Sequence, residues 1–251
     1  MNISLERTVR IMASRELVFR FFTDSARWAK WWGEGSTVDA RVGGKVSIRY
    51  PGGVEALGEV LAIDPPERIV FTYGYASGKP IPPGSSRVSI RLSDEGGATR
   101  LDLTHEFDDP AVRDQHVQGW RYQLSVFANV AADEAFARAG ETVDAWFLAW
   151  AETDAAHRQA AFAAVASNEI RFRDRYSALE GVEELALHAG AAQRFLPGIR
   201  VGRRGEVRHC QGMVLAEWVA AGADGVERMR GANVFELGAD GKIVAVTGLP
   251  G

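Results

Sequence analysis

The sequence predicts an α+β protein of two domains, each a curved antiparallel sheet with a helix packed across its open face. The length of 251 residues fits two domains of ordinary size. Apolar residues alternate with a period of two in several runs of each half, and they recur at helical spacing in others. Gly140 follows a helical run as a C-cap glycine does, so we place the domains at residues 1–140 and 141–251.

The composition argues against several classes of protein. Lys and Arg number 29 against 33 Asp and Glu, so the concentrated positive charge that binds nucleic acid is missing. No run approaches the roughly 20 apolar residues of a membrane span, and the N-terminus does not read as a signal peptide. We therefore expect a soluble, cytoplasmic protein with no nucleic-acid or membrane partner. Cys210 is the single cysteine and the histidines lack metal-ligand spacing, so we expect no metal and no cofactor.

The first half begins with a strand and two short helices. Residues 3–11 alternate as a strand does, Ser14 is the predicted N-cap of a helix over 16–22, and Asp24 caps a second helix. Strands are then predicted at 46–50, 57–63, 69–75, 87–92 and 99–107. A long helix over 111–139 closes the half, and its apolar stripe includes Trp120, Leu124 and Phe127. We expect that stripe to face the sheet.

Several segments of this half carry a family resemblance. They are the string from Glu16 to Trp32, Gly43-Gly44-Lys45, Gly58-Glu59-Val60 leading to Asp64-Pro65-Pro66-Glu67-Arg68, and Gly119-Trp120 with Leu124. Together they resemble the homologues of the activator of heat-shock-protein-90 ATPase, which belong to the START-related (SRPBCC) helix-grip superfamily. The resemblance implies a sheet that grips a long C-terminal helix around an apolar pocket.

We expect that pocket to hold a small apolar ligand. The predicted ligand-binding residues lie on the aromatic helix and on the inward strand and helix faces: Trp28, Trp32, Tyr73, His105, Trp120 and Leu124. Two plainer interpretations stay open. His105 also fits a hydrogen-bonded core histidine, and the tryptophans also fit an ordinary core.

The second half opens with a predicted helical hairpin, in which Asp154 caps the second helix. A strand over 169–174 and a helix over 181–194 follow. Strands are then predicted at 205–213, 214–220, 227–237 and 243–248, with Asp240-Gly241 as a hairpin turn.

The segments Phe172-Arg173-Asp174, Gly181, Phe235-Glu236-Leu237 and Asp240-Gly241-Lys242-Ile243 resemble the nuclear-transport-factor-like cone and its SnoaL-like and ketosteroid-isomerase-like members. The resemblance implies a cone-shaped α+β barrel with an interior cavity. We expect Trp146, Trp150, Phe172 and Phe235 to bind a ligand there.

Two polar residues of this half are candidate catalytic groups. Strand alternation turns Asp174 and Asn233 toward the interior. A carboxylate in a low-dielectric pocket can act as a base. The resemblance places Asp174 at the base position of isomerases and cyclases, and Asn233 at the position of their oxygen-binding acid. The isomerases also use a tyrosine, for which this chain offers only tryptophan. Alternatively, Asp174 caps a turn or pairs with a neighbouring arginine, and Asn233 is a satisfied strand residue.

Three hypotheses of function follow. The first is binding of small hydrophobic molecules in one or both cavities. The second is an isomerase, cyclase or hydrolase that acts on a polyketide-like or steroid-like carbonyl compound, with Asp174 as general base. The third is a chaperone-regulating or protein-interaction module. We also expect a homodimer, which would use Val214, Ala216 and Trp218 if their strand face turns outward.

Overall fold

The computed structural model describes residues 3–251, and the chain is of the α+β class. It divides into two compact units, one that ends at Ala135 and one that begins at Phe136. The division predicted at residue 140 therefore falls inside the second unit. Across residues 3–251, no helix combines the length and the apolar character needed to cross a bilayer.

The first unit is a seven-stranded antiparallel sheet with three helices. Its strand order is β1-β7-β6-β5-β4-β3-β2, and the long helix α3 packs against β1 and β7 in the helix-grip arrangement. The elements are β1 (Ile3–Ile11), α1 (Arg15–Arg20), α2 (Ser25–Trp32), β2 (Thr37–Val38), β3 (Lys45–Arg49), β4 (Glu55–Asp64), β5 (Arg68–Tyr75), β6 (Ser86–Glu95), β7 (Ala98–Phe107) and α3 (Pro110–Ala135).

Both predicted helix caps of this unit are present. The Ser14 hydroxyl accepts from the Leu17 N–H at 3.3 Å, and the Asp24 carboxylate accepts from two backbone N–H groups at 2.8 and 3.1 Å. These bonds satisfy donors that the first helical turn leaves unpaired, so they fix where α1 and α2 begin.

The prediction that the long helix runs to residue 139 is wrong. Helix α3 ends at Ala135, and a turn in which Ala139 N–H donates to Phe136 O at 2.9 Å leads into the next helix. Phe136 packs within the second unit against His209, with ring centroids 5.2 Å apart. Gly140 lies in the first turn of the following helix and caps nothing.

The second unit is a six-stranded sheet with three helices, in the cone-shaped α+β arrangement. The strand order is β10-β11-β12-β13-β8-β9, and only the β13–β8 pair is parallel in the described sheet. The elements are α4 (Ala139–Ala151), α5 (Ala155–Val165), β8 (Ala166–Arg173), β9 (Ala178–Glu180), α6 (Gly181–Phe195), β10 (Arg200–Cys210), β11 (Met213–Ala221), β12 (Glu227–Leu237) and β13 (Ile243–Pro250).

Two details of this sheet differ from the predictions. Strand β10 covers 200–210 instead of 205–213, because the chain turns at Gln211-Gly212 with φ of 47° and 87°. Gln211 carries no turn signal, so sequence alone does not locate this hairpin. Val214 and Ala216 are 0% and 1% exposed, so their face of β11 turns inward and cannot be the dimer surface.

Candidate functional site

The first unit contains a cavity of about 470 Å³, which is within the usual size range of small-molecule sites. It lies between the C-terminal end of α2, the β3–β4 turn, β5 and α3. Seven aromatic side chains line it: Trp31, Trp32, Tyr50, Tyr73, Tyr75, Trp120 and Tyr122. Polar side chains interrupt the aromatic wall at Lys30, Gln115, His116 and Gln123.

The end of α2 positions the tryptophans of this wall. The ring centroids of Trp31 and Trp32 are 4.2 Å apart, and Trp32 packs against Trp120 at 5.5 Å and Tyr50 at 5.8 Å. Gly33 then ends the helix at φ 140°, where a Cβ would lie 2.2 Å from the Arg49 carbonyl oxygen. Only glycine allows α2 to approach β3 this closely, which brings Trp32 beside Tyr50.

The predicted ligand-binding residues of this unit fall into two groups. Trp32, Tyr73 and Trp120 line the cavity. The remaining three lie behind its wall in the core: Trp28, His105 and Leu124 are at most 4% exposed. The Trp28 indole donates to Ser47 O at 3.3 Å.

The contacts of His105 define its protonation state. The Trp120 indole N–H, which can only donate, lies 2.9 Å from Nδ1 of His105, so Nδ1 must be the acceptor. Nε2 therefore carries the proton and donates to the Ser86 hydroxyl at 2.8 Å, which itself donates to Tyr73 O. Burial, with a smaller contribution from His116, lowers the pKa of His105 to about 3. The ring is a neutral support for Trp120.

His116 has the opposite tautomer and lines the cavity. Its Nδ1 lies 2.8 Å from the Val112 carbonyl, which can only accept, so Nδ1 carries the proton. Nε2 then accepts from the Tyr75 hydroxyl at 3.3 Å. Burial lowers the pKa of His116 as well, against the opposing effect of the Val112 bond. The sequence prediction missed this pair.

Two further polar residues that line the cavity, Tyr50 and Gln123, were also missed. The hydroxyls of Tyr50 and Tyr73 lie 2.9 Å apart, and burial raises the pKa of both phenols, so both stay protonated. Gln123 is 6% exposed and lines the cavity. A sequence signal for the helix residues exists. His116 and Gln123 are seven positions apart and flank Trp120, so two polar groups interrupt the core-facing stripe of α3.

In the second unit, the four predicted ligand-binding aromatics form a packed cluster. The ring centroid of Trp146 lies 5.8 Å from Phe235 and 6.2 Å from Phe172, and Trp150 lies 5.7 Å from Phe172. Trp146 is fully buried. The structure therefore brings these rings together, and they occupy much of the space that they were expected to line.

The structure also brings Asp174 and Asn233 together. A Cβ built on Gly248 would lie 3.1 Å from Asp174 Cβ and 3.4 Å from Asn233 Oδ1, so both side chains border the same glycine. Asp174 is half-buried, and its carboxylate accepts from the Tyr176 N–H at 2.7 Å, as a turn cap does. Asn233 is 7% exposed, and its Oδ1 accepts from the Trp218 indole at 3.1 Å.

Among residues 3–251, no group of three or more His, Cys, Asp or Glu side chains has the geometry to hold a metal ion.

Residues 12–132 match the family model described as activator of Hsp90 ATPase homolog 1-like protein. This match confirms the resemblance inferred for the first half of the chain. The comparison with curated proteins found no match.

Similar solved structures include a SnoaL-like family protein from Agrobacterium tumefaciens, with 23% identity, a TM-score of 0.43, and coverage of 44% of this chain and 95% of that one. CalU16 from Micromonospora echinospora is 28% identical, with a TM-score of 0.42 and coverage of 51% and 76%. The Aha1 dimer from Colwellia psychrerythraea is 18% identical, with a TM-score of 0.43 and coverage of 49% and 90%.

Proposed function

We propose that the first unit binds a small, largely apolar molecule in its cavity. The observation that supports this proposal is the space of about 470 Å³ lined by seven aromatic side chains. Covering apolar ligand surface with such a wall contributes about 25 cal/mol per Å². The interior groups are uncharged, because His116 has a lowered pKa and the phenols of Tyr50 and Tyr73 have raised ones. Lys30 is half-exposed at the wall and paired with Glu134, so the interior favours a neutral ligand.

Filling the cavity tests this proposal. Gly119 lines it, is exposed, and has no atom within 4 Å of the place where a Cβ would be. Since the Cβ of a larger residue has room there, Gly119→Phe should obstruct the cavity and weaken binding of the neutral dye Nile red by roughly tenfold or more, or about 1.4 kcal/mol. Gln118→Phe is the matched control, because Gln118 is exposed on the same helix and does not line the cavity.

The measurement is a fluorescence titration of the full chain with Nile red, together with native mass spectrometry of the freshly purified protein. Binding that Gly119→Phe leaves as strong as Gln118→Phe does would contradict the proposal. The same holds if the wild-type protein binds no apolar probe and its melting temperature does not respond to any.

A second candidate function concerns the unit from Phe136 onward, and the meeting of Asp174 and Asn233 at Gly248 favours it. In this candidate, Asp174 removes a proton from the carbon beside a carbonyl, and the free amide N–H of Asn233 donates to the carbonyl oxygen. The protein would then be an isomerase, cyclase or hydrolase for a polyketide-like or steroid-like compound. Since Asn233 Oδ1 is held by Trp218, its NH₂ group is directed to the other side.

Asp174→Asn tests this candidate because it keeps the size of the side chain and removes the base. Isomerisation of a steroid enone should fall by roughly 10²-fold or more, the usual contribution of a positioned base. Arg175→Gln, on the exposed neighbour, should leave the rate unchanged. An unaltered rate in Asp174→Asn would rule out Asp174 as the base.

A further inference from the structure

Gln123 is a polar side chain whose amide is open to the cavity and receives no hydrogen bond from the described residues of the protein. It is 6% exposed, lines the cavity, and no group among residues 3–251 forms a hydrogen bond with its amide. A ligand that covers this amide without a hydrogen bond would lose about 1–3 kcal/mol of binding energy, so a ligand with a matching polar group is favoured. A ligand in the cavity can therefore provide a hydrogen-bond partner for this amide. Gln123 can both donate to such a partner and accept from it.

The Tyr75–His116 pair provides a second polar point with a defined direction. Because His116 Nδ1–H donates to the Val112 carbonyl, its Nε2 takes the Tyr75 proton, over a long distance of 3.3 Å. The Tyr75 oxygen keeps its lone pairs, which can accept a hydrogen bond. This end of the cavity therefore favours a ligand that brings an O–H or N–H group.

The two polar points lie on one line along α3. His116 and Gln123 are seven residues apart, which corresponds to about 10 Å along a helix. Trp120 lies between them on the same face, and its ring is held by the bond to His105. A ligand that reaches both points must therefore lie along the helix with an apolar middle part against Trp120.

We propose that the cavity selects a flat, uncharged polycyclic ligand with a polar group at each end. A hydroxyl at one end would bind the Tyr75–His116 pair, and a hydroxyl or carbonyl at the other, about 10 Å away, would bind the Gln123 amide. The rings of Trp31, Trp32 and Trp120 would cover its body. This inference rests on the proposed binding function and specifies its ligand class.

The test compares three probes that share one flat tricyclic body. Anthraflavic acid has a hydroxyl at each end, its monohydroxy analogue has one, and anthraquinone has none. Quenching of tryptophan fluorescence gives the dissociation constants for the full chain, in mildly acidic buffer that keeps the probe hydroxyls neutral. We expect the wild-type protein to bind anthraflavic acid roughly tenfold more tightly than anthraquinone, since each added hydrogen bond contributes roughly threefold to tenfold.

Two variants separate the two ends. Gln123→Leu and Tyr75→Phe should each reduce the preference for anthraflavic acid by roughly threefold to tenfold and leave anthraquinone within about twofold. Gln115→Leu is the control, because Gln115 also lines the cavity but is exposed. Melting temperatures establish that each variant is folded, and Gln123→Met replaces Gln123→Leu if the leucine variant does not fold.

The outcomes distinguish this inference from the function on which it rests. Equal affinity of the wild-type protein for anthraflavic acid and anthraquinone would overturn the inference, as would a preference that neither variant changes. Binding of Nile red without binding of any of the three probes would also overturn it, while the cavity would remain a binding site. Binding of none of the four compounds would overturn the proposed function itself.

Discussion

At the scale of single residues, the surroundings of His105 make it a pH-sensitive part of the fold. Its two ring nitrogens are committed to Trp120 and Ser86, and the ring is fully buried. Burial lowers the pKa of His105 from 6.5 to about 3. In that window the unfolded chain binds a proton at this position that the folded chain does not. Stability therefore rises with pH between the two values and falls as the solution is acidified.

We expect His105→Gln to make stability less dependent on pH. One proton taken up on unfolding corresponds to a slope of about 1.4 kcal/mol per pH unit. Urea unfolding of the full chain at several pH values between 6.5 and about 3 measures that slope for both proteins. In His105→Gln the slope should be smaller by the contribution of about one proton. The control His157→Gln, on an exposed histidine, should keep the wild-type slope. Equal slopes in the wild-type and His105→Gln proteins would show that His105 does not titrate in this way.

Arg158 shows how a buried cation is held without a carboxylate contact in the described chain. It is 6% exposed, and its guanidinium donates to the carbonyls of Glu152, Thr153 and Ala186 at 3.0, 3.2 and 2.8 Å. These carbonyls lie at the end of α4 and within α6. Gly190 leaves the room that the guanidinium needs, because a Cβ there would be 2.5 Å from its terminal nitrogen.

We expect Gly190→Ala to destabilise the second unit by roughly 1–3 kcal/mol, since the methyl group pushes the guanidinium away from its carbonyls. Gly119→Ala is the matched helical control. No atom lies within 4 Å of its Cβ position, so it should gain roughly 0.5–1 kcal/mol from reduced backbone freedom. Differential scanning calorimetry measures whether each substitution lowers or raises the stability. A Gly190→Ala protein at least as stable as the wild type would contradict this account.

At the scale of elements, strand β5, which carries Tyr73 and Tyr75 of the cavity wall, pairs closely with β4. Gly58 of β4 faces β5, and a Cβ there would lie 1.7 Å from the Thr72 carbonyl oxygen. The Thr72 hydroxyl also accepts from the Glu59 N–H at 2.9 Å, which fixes the pairing beside the glycine. A backbone carbonyl cannot move away as the end of a flexible side chain can.

Gly58→Ala should therefore separate β4 from β5 and cost roughly 3 kcal/mol or more, enough to unfold a marginal domain. Gly202→Ala, in β10 of the other unit, is the control, because no atom lies within 4 Å of its Cβ position. Amide hydrogen exchange followed by mass spectrometry reports each unit separately. Normal protection of β4 and β5 in Gly58→Ala would show that the close approach is not required.

Packing between α2 and α3 also positions the site. Arg27 and Lys30 of α2 both contact the Glu134 carboxylate of α3, at 2.8 and 3.1 Å. Bonds from both cations lower the pKa of Glu134 although burial opposes them. These ion pairs fix α2 at the C-terminal end of α3, while Trp31 and Trp32 pack against Phe127 and Trp120.

At the scale of the whole molecule, the expected homodimer remains a prediction, now with a different face. Val214 and Ala216 point inward, so their β11 neighbours Met213 and Leu215 point outward. Leu215 pairs with Val234 across the sheet, and Met213 is 46% exposed. Apolar side chains on the outer face of a sheet are suited to pack against a second copy of the chain.

We expect the 27.3 kDa chain to show about twice that mass in size-exclusion chromatography with light scattering. Leu215→Glu should shift it to the monomer, because a carboxylate in an apolar interface loses its hydration. Leu148→Glu, at a 71% exposed leucine of α4, should leave the mass unchanged. A monomeric wild-type protein would contradict the prediction.

Much of the fold could be predicted because its signals are local. Ser14, Asp24 and Asp154 each cap the helix that follows, since a side-chain oxygen next to a helical pattern has few other uses. The bounds of β1 and β12 also follow from alternation alone. The end of α3 and the Gln211-Gly212 turn could not be predicted, because a tertiary contact of Phe136 and an unusual φ of glutamine decide them.

The α+β class, most element positions and the inward-facing side chains of each strand can be read from the chain alone, because they depend on periodicity and capping. The packing neighbours of each inward-facing side chain depend on the tertiary structure. The same aromatic pattern leaves 470 Å³ open in the first unit and packs ring against ring around Trp146 in the second. Tertiary structure also decides that His105 is hydrogen-bonded to Ser86 and Trp120 while the Gln123 amide faces the cavity, because a hydrogen-bond partner is a neighbour in space and seldom one in sequence.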